Sequence, residues 1–235
     1  MSNKDITIVI PTYEMHGMGA AYLSFSFDKL KTQTLSNFDI IVSDHSSNNS
    51  IKELCDKYSS SLDIKYIKNT EQVGNSSANL NNAIKYAQGD IIKILFQDDF
   101  LYSDSSLEDI KNNFLSNKEK SWLIASCGHS NDGNNFYNKI IPVFNRQNLL
   151  SGINTVSSPS VVSFLNSGDI IEFDENLVWM MDCDYYVRME EKFGLPIVLS
   201  ETNVVNRIWE KQYNNMIPLE RKNQETEYIK NKFNL

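Results

Sequence analysis

The chain has 235 residues, 41% hydrophobic and 22% charged, a composition that fits one globular domain with at most a short appendage. A net charge of -8 and a pI near 4.9 argue against nucleic acid as the main partner and give no general attraction to anionic lipid. Cys55, Cys127 and Cys183 are far apart and odd in number, which fits a reducing compartment without disulfides, and His16, His45 and His129 lack metal-ligand spacing.

The first residues are polar, so no signal peptide is expected. No stretch approaches the roughly 18 to 20 apolar residues that span a bilayer, and a cytoplasmic protein is expected. Strands are predicted near 5–11, 38–44, 63–68 and 90–97, and helices near 20–34, 50–60, 75–88 and 104–117. This alternation predicts an α/β fold, a mostly parallel central sheet with helices on both faces. A further strand near 121–127 follows Trp122. Residues 128–155, rich in Asn and Gly, read as irregular, with a short helix near 145–151. Short strands are predicted at 159–165 and 169–173, a helix at 181–193 stopped by Gly194, and a last strand at 195–199. From Lys211 the chain is polar. An amphipathic helix is predicted from Pro218 to Phe233, its alternating charges forming a solvated face.

The run from Ile91 to Phe96 ends in two adjacent carboxylates, Asp98 and Asp99. Carboxylates at the end of a buried strand are costly to leave bare, and ligands of open α/β sheets bind at that end. Carboxylate oxygens suit Mg²⁺ or Mn²⁺, ions that bridge to substrate phosphates, which suggests a metal–diphosphate site. The same two residues could equally open a turn and cap the helix near Leu107.

Four segments carry more. They are IVIPTY ending at Tyr13, IIVSDHSSNNS from Ile40, NTEQVGNSSANLNNAIKYAQGDII from Asn69, and ILFQDD ending at Asp99. In order and spacing, over roughly the first 110 residues, they resemble the family 2 inverting glycosyltransferases of the GT-A fold. The resemblance implies one GT-A domain over 1–210, with a nucleotide-sugar half at 1–110 and an acceptor-side half at 111–210, followed by a helical tail at 211–235. It implies a nucleotide-sugar donor bordered by Pro11, Thr12, Tyr13 and Asn79, with Asp44 accepting from the base. Asp98 would contact the ribose or the metal, and Asp99 would hold Mn²⁺ or Mg²⁺. The acceptor would be a hydroxyl of a glycan, lipid-linked glycan or glycoprotein, a lipid-linked one being met peripherally at the membrane.

In the second half, Phe173-Asp174-Glu175 followed by Met181-Asp182 resembles the acceptor-side motif of the same family. It implies Asp182 as catalytic base, with Asp184 as the alternative, although a first-turn acid also favours a helix start by itself. Asn206-Arg207-Ile208-Trp209 resembles a late segment in which many members carry a metal-binding histidine. Trp209 stands in its place, and an indole N–H cannot ligate a cation, so Trp209 lines the site or simply packs. Two other readings are a non-catalytic nucleotide-sugar or glycan-binding module and a sugar nucleotidyltransferase. The latter predicts a basic Gly-rich loop, whereas Thr12–Gly19 has glycines but no Arg or Lys.

Overall fold

The computed structural model describes residues 4–212 and 216–235; residues 1–3, and 213–215 within the expected tail, lie outside the described residues. The strands are β1 (Ile6–Thr12), β2 (Phe38–Asp44), β3 (Ile64–Lys68), β4 (Ile91–Ile94), β5 (Phe100–Leu101), β6 (Trp122–Ser130), β7 (Tyr137–Ile140), β8 (Val162–Leu165) and β9 (Ile197–Arg207). The helices are α1 (Gly19–Lys31), α2 (Ser50–Tyr58), α3 (Ser76–Ile84), α4 (Ser106–Ser116), α5 (Arg146–Leu150), α6 (Met181–Phe193) and α7 (Leu219–Phe233).

One mixed, mostly parallel sheet runs β3-β2-β1-β4-β8-β6-β9-β5, with β7 paired to β6. β1, β2, β3 and β4 are parallel to one another, and β6 is parallel to β9. β8 lies antiparallel between β4 and β6. β1 is buried along its whole length, as a continuous β-branched run should be in a sheet covered on both faces. Register sets the carboxyl ends level: Thr12 lies opposite Asp44, and Asp44 opposite Lys68. Gly89 is required where the chain enters β4, because a Cβ there would come within 2.6 Å of the Thr7 backbone N. The Thr7 hydroxyl fixes this turn by accepting from Gly89 N at 2.8 Å and donating to Asp39 at 2.6 Å. Trp122 anchors the second half of the core, fully buried and donating from Nε1 to Gly194 O at 2.8 Å.

Four elements differ from expectation. β4 stops pairing at Ile94 rather than 97, because the Phe96 N–H turns to the Ser160 hydroxyl at 2.8 Å. Residues 169–173 form no strand. The Asn81 side chain takes both backbone groups of Phe173 (2.7 and 2.9 Å), and Arg188 takes the carbonyl of Glu172, so no ladder partner is needed. Within the expected irregular stretch, β7 folds back on β6 through a turn organised by Asp132, whose carboxylate accepts from Asn134 N and Asn135 N, both at 2.8 Å. The last strand is longer than 195–199, following β6 to Arg207 with a shift of register.

Candidate active site

The carboxyl ends of β1, β2 and β4 converge, as the sheet order requires. Asn79, on α3, lies beneath them and is 3% exposed. Its amide donates to Thr12 O at 3.1 Å and Ser43 O at 3.0 Å, and accepts from the Ser43 hydroxyl at 2.7 Å and Asn69 Nδ2 at 3.3 Å. Asn79 thus holds the strand ends level from below. Asp44 is fully buried. Its carboxylate accepts from Thr12 Oγ1 (3.2 Å), Ser46 N (2.9 Å) and Tyr66 OH (2.8 Å), with the Lys68 ammonium 3.7 Å away. It is seated at the end of β2 and bonded to protein groups on both oxygens. Pro11 is buried in β1, and Tyr13 emerges at the surface. Gln97 clamps Tyr13 by accepting from its N–H and donating to its carbonyl, both at 2.9 Å, which ties the end of β1 to the end of β4.

Asn79→Leu keeps the branched outline, with larger terminal groups, but leaves buried partners of that amide unsatisfied. It is expected to cost about 3 kcal/mol, since each orphaned buried group costs roughly 1–3 kcal/mol. Urea unfolding should show the midpoint falling with the slope unchanged. A loss below about 1 kcal/mol would mean that water replaces the amide.

Asp98 and Asp99 sit where β4 has ended. Asp99 is 5% exposed and accepts from Arg207 N at 3.1 Å and the Ser158 hydroxyl at 3.3 Å. Asp98 is half-buried and accepts the Trp209 indole N–H at 3.1 Å. Trp209 therefore stands at the acid pair, its ring edge-on to Tyr22 with centroids 5.6 Å apart. The Arg207 side chain donates to the Asp98 carbonyl at 3.2 Å, and its guanidinium lies 4.7 Å from the Tyr22 ring and 5.0 Å from that of Phe25. Burial raises the pKa of both acids, and Asp98 raises that of Asp99 further. Below them Lys93 is fully buried, donates to Ser160 O, and is pushed down to about 7 by burial.

Asp182 lies in the first turn of α6, half-buried. Its Oδ1 accepts from Cys183 N at 2.7 Å and its Oδ2 from Asn154 Nδ2 at 2.6 Å. Burial pushes its carboxyl up to about 6. Asp184, two residues on, faces the other side of the helix. It is 1% exposed and contacts Arg188 at 2.6 Å and Lys232 at 2.7 Å. Those two cations account for Asp184, whereas Asp182 has no cation on it among the described contacts and is bonded to Cys183 N and Asn154.

The two acidic centres are joined by residues that sequence reasoning did not single out. Asn154 also donates to Ser157 O at 2.8 Å, and its own oxygen accepts from Val156 N and Ser157 N, both at 2.9 Å. Asn206 Nδ2 donates to the Ser157 hydroxyl at 2.8 Å, and the Ser158 hydroxyl donates to Asn206 Oδ1 at 3.0 Å and to Asp99. Ser157 has φ 115°, a strained conformation for a residue with a Cβ, held by these bonds and by Tyr186 OH on its carbonyl at 2.9 Å.

The profile described as "Glycosyl transferase family 2" matches residues 7–160, which contain β1 to β4 and the acid pair. The chain belongs to this family. The fold is GT-A. No curated protein matches the sequence. Among solved structures, Staphylococcus aureus TarS 1–349 is similar at 17% identity and TM-score 0.68, over 86% of this chain and 60% of that one. The same TarS segment in complex with UDP-GlcNAc matches at 16% identity and TM-score 0.68, over 92% of this chain and 62% of that one. The mannosyltransferase PcManGT from Pyrobaculum calidifontis, in complex with GDP-Man and Mn2+, matches at 15% identity and TM-score 0.65, over 91% and 59%. At such identities these likenesses show the fold, and the chain spans about 60% of the length of each of these structures.

Among the described residues, no group of three or more His, Cys, Asp or Glu side chains converges to hold a metal ion. The acid pair nonetheless fits a cation of the Mg²⁺ or Mn²⁺ type. The hydrogen-bond donors on the two carboxylates are neutral, namely a backbone N–H, a hydroxyl and an indole. Burial raises the pKa of both acids even with the Arg207 guanidinium nearby, so a divalent cation would favour their charged forms. Such ions need only one or two carboxylates when phosphates and water complete the shell.

Proposed function

We propose that the chain is an inverting glycosyltransferase that takes a sugar from a nucleoside diphosphate donor to a hydroxyl of a glycan, lipid-linked glycan or glycoprotein. The observation that carries this reading is the pairing of two centres. Asp182, a half-buried carboxylate pushed up to about 6 by burial, is wired through Asn154, Ser157, Asn206 and Ser158 to a pair of adjacent acids whose hydrogen-bond donors are neutral. The nucleotide lies along the end of β1, bordered by Pro11, Thr12 and Tyr13, while Asp44 and Asn79 keep Thr12 in place from beneath. Asp98 and Asp99 would hold Mn²⁺ or Mg²⁺, which when bound would supply positive charge for the diphosphate leaving group. Asp182 accepts the proton of the acceptor hydroxyl as that oxygen bonds to the anomeric carbon. The bond from that carbon to the diphosphate breaks, and the nucleoside diphosphate leaves with the electron pair. A single direct attack inverts the anomeric centre. UDP-sugar and GDP-sugar donors are both in scope, since the structures with UDP-GlcNAc and GDP-Man share this fold. Among the described residues no helix is long and apolar enough to cross a membrane, so a lipid-linked acceptor would be met at the bilayer surface.

The test is a panel of UDP- and GDP-sugars incubated with Mn²⁺, Mg²⁺ or EDTA, with release of nucleoside diphosphate as the readout. Metal-dependent release from one donor class is expected. Tight nucleotide binding without turnover of any donor would replace this reading with a non-catalytic binding module. Equal release in EDTA would remove the cation from it.

A further inference from the structure

The polar C-terminal helix is not a solvated appendage in this structure. Glu225, in the middle of α7, is 2% exposed. Its carboxylate accepts three consecutive backbone N–H groups of the loop that opens α6: Val178 at 3.0 Å, Trp179 at 2.8 Å and Met180 at 2.9 Å. Met180 is the N-cap of α6 and makes no side-chain cap bond, and the start of a helix favours negative charge. The Glu225 carboxylate supplies that charge from another helix, taking the Met180 N–H together with those of the two loop residues before it. Arg221, one turn earlier, fixes that carboxylate at 2.7 Å and donates to Asn176 O at 2.7 Å. One and two turns later, Tyr228 and Lys232 bind Asp174 at 2.9 and 2.6 Å, and Lys232 also reaches Asp184 at 2.7 Å. Ile229 is fully buried beside them. The segment 174–184 is therefore gripped at both ends by one face of α7.

We infer that α7 is a clamp that positions the acceptor-side base, and that Glu225 is its positioning residue. The inference rests on the assignment of Asp182 as base. Asp182 stands two residues after Met180, and one of its oxygens accepts the next N–H of the same turn. Where the 178–180 backbone goes, this carboxylate goes, and its bond to Asn154 with it. Placement errors of about 1 Å at a catalytic group cost of the order of 10²-fold in rate. The strands of the nucleotide side, β1, β2 and β4, make none of these contacts, and α3 keeps its own hold on the loop through Asn75 on Glu175 O at 2.8 Å and the Ser77 hydroxyl on Leu177 O at 3.1 Å, so donor binding should be little changed.

Three full-length proteins decide the matter: wild type, Glu225→Ala and Glu225→Gln, the last keeping an acceptor oxygen. The first readout is backbone hydrogen exchange by mass spectrometry. Glu225→Ala should speed exchange over 177–186 at least tenfold while 6–12 and 91–94 keep their wild-type rates, with Glu225→Gln in between. The second is UDP and GDP affinity by calorimetry, expected to stay within twofold. The third is turnover of the donor found in the panel, expected to fall at least tenfold in Glu225→Ala and to recover partly in Glu225→Gln. Unchanged exchange over 177–186, or acceleration spread evenly over the chain, overturns the clamp. So does turnover within threefold of wild type when exchange has been accelerated locally. Asp182→Asn, run in parallel, separates the two ideas. If it turns over normally, the base assignment fails, and with it the catalytic role given to Glu225. The exchange data then still show whether the helix start is held from α7.

Discussion

Asp182→Asn is expected to lower transfer by roughly 10²–10⁴-fold, the usual contribution of a positioned general base, with nucleoside diphosphate affinity nearly intact. The asparagine can keep the bond from Cys183 N, so the helix start survives, but it cannot take a proton. Loss should therefore fall on the chemical step rather than on donor binding. Asp184→Asn is the control. That side chain is buried between Arg188 and Lys232, so its replacement should weaken the fold more than the chemistry. A dead Asp184→Asn beside a functional Asp182→Asn would exchange the two roles. The pH profile follows from the Asp182 carboxyl near 6. The base works deprotonated, so the rate should fall about tenfold per pH unit below 6 and level off above it. Stability runs the other way for this group. Its folded pKa is raised above the ordinary carboxylate value, so the folded state holds the proton more tightly, and its contribution declines as pH rises from about 4 through 6. An acid limb near pH 4 instead would show a fully solvated carboxylate and would remove the reason for choosing Asp182.

The first half of the fold is legible because each strand is a run of β-branched residues ended by Pro11, Asp44 or the acid pair, and each helix has its own apolar spacing. The same local signals place Asp98, Asp99 and Asp182. What they do not carry is how these groups are joined. Asn154, Ser157 and Ser158 lie in a stretch without periodicity, and the bonds that join them and Asn206 to the two acidic centres and to each other include ones that span 28 to 59 residues, so their meaning appears only once β8, β6 and β9 are side by side. The choice between Asp182 and Asp184 is equally invisible in a motif. It turns on which side of α6 faces Lys232, a residue of the tail. Asp44, at the end of β2, and Asn79, on α3, show the converse limit, because the pattern that singles them out does not reveal the buried protein partners that each one has. The alternating charges of α7 read as a solvated face, yet Glu225 is buried, and the pattern of a helix alone cannot tell a surface carboxylate from one that caps another element.

Asp99→Asn is expected to abolish the cation-dependent part of nucleotide binding, at least a tenfold loss of affinity or about 1.4 kcal/mol. Titration of UDP and GDP with and without Mn²⁺ should show metal strengthening binding in the wild type and not in the variant. Thermal unfolding reports the same coupling in another way. Nucleotide plus Mn²⁺ at a hundred times the dissociation constant adds about 2.7 kcal/mol to the folded state, and each kcal/mol raises Tm by roughly 2–4 °C for a domain of this size. That increment should disappear in Asp99→Asn. The ligand-free variant, by contrast, should melt no lower than the wild type. Burial and the neighbouring Asp98 already push the Asp99 carboxyl toward its neutral form, and an asparagine reproduces that form's shape and can still accept the Arg207 N–H. Loss of ligand response without loss of fold is what separates a binding carboxylate from a structural one. If instead Asp99→Asn melts several degrees lower while binding nucleotide and metal as before, Asp99 is a strut between β4 and β9. Asp98, half-buried and accepting the Trp209 indole N–H, would then be the cation's principal ligand.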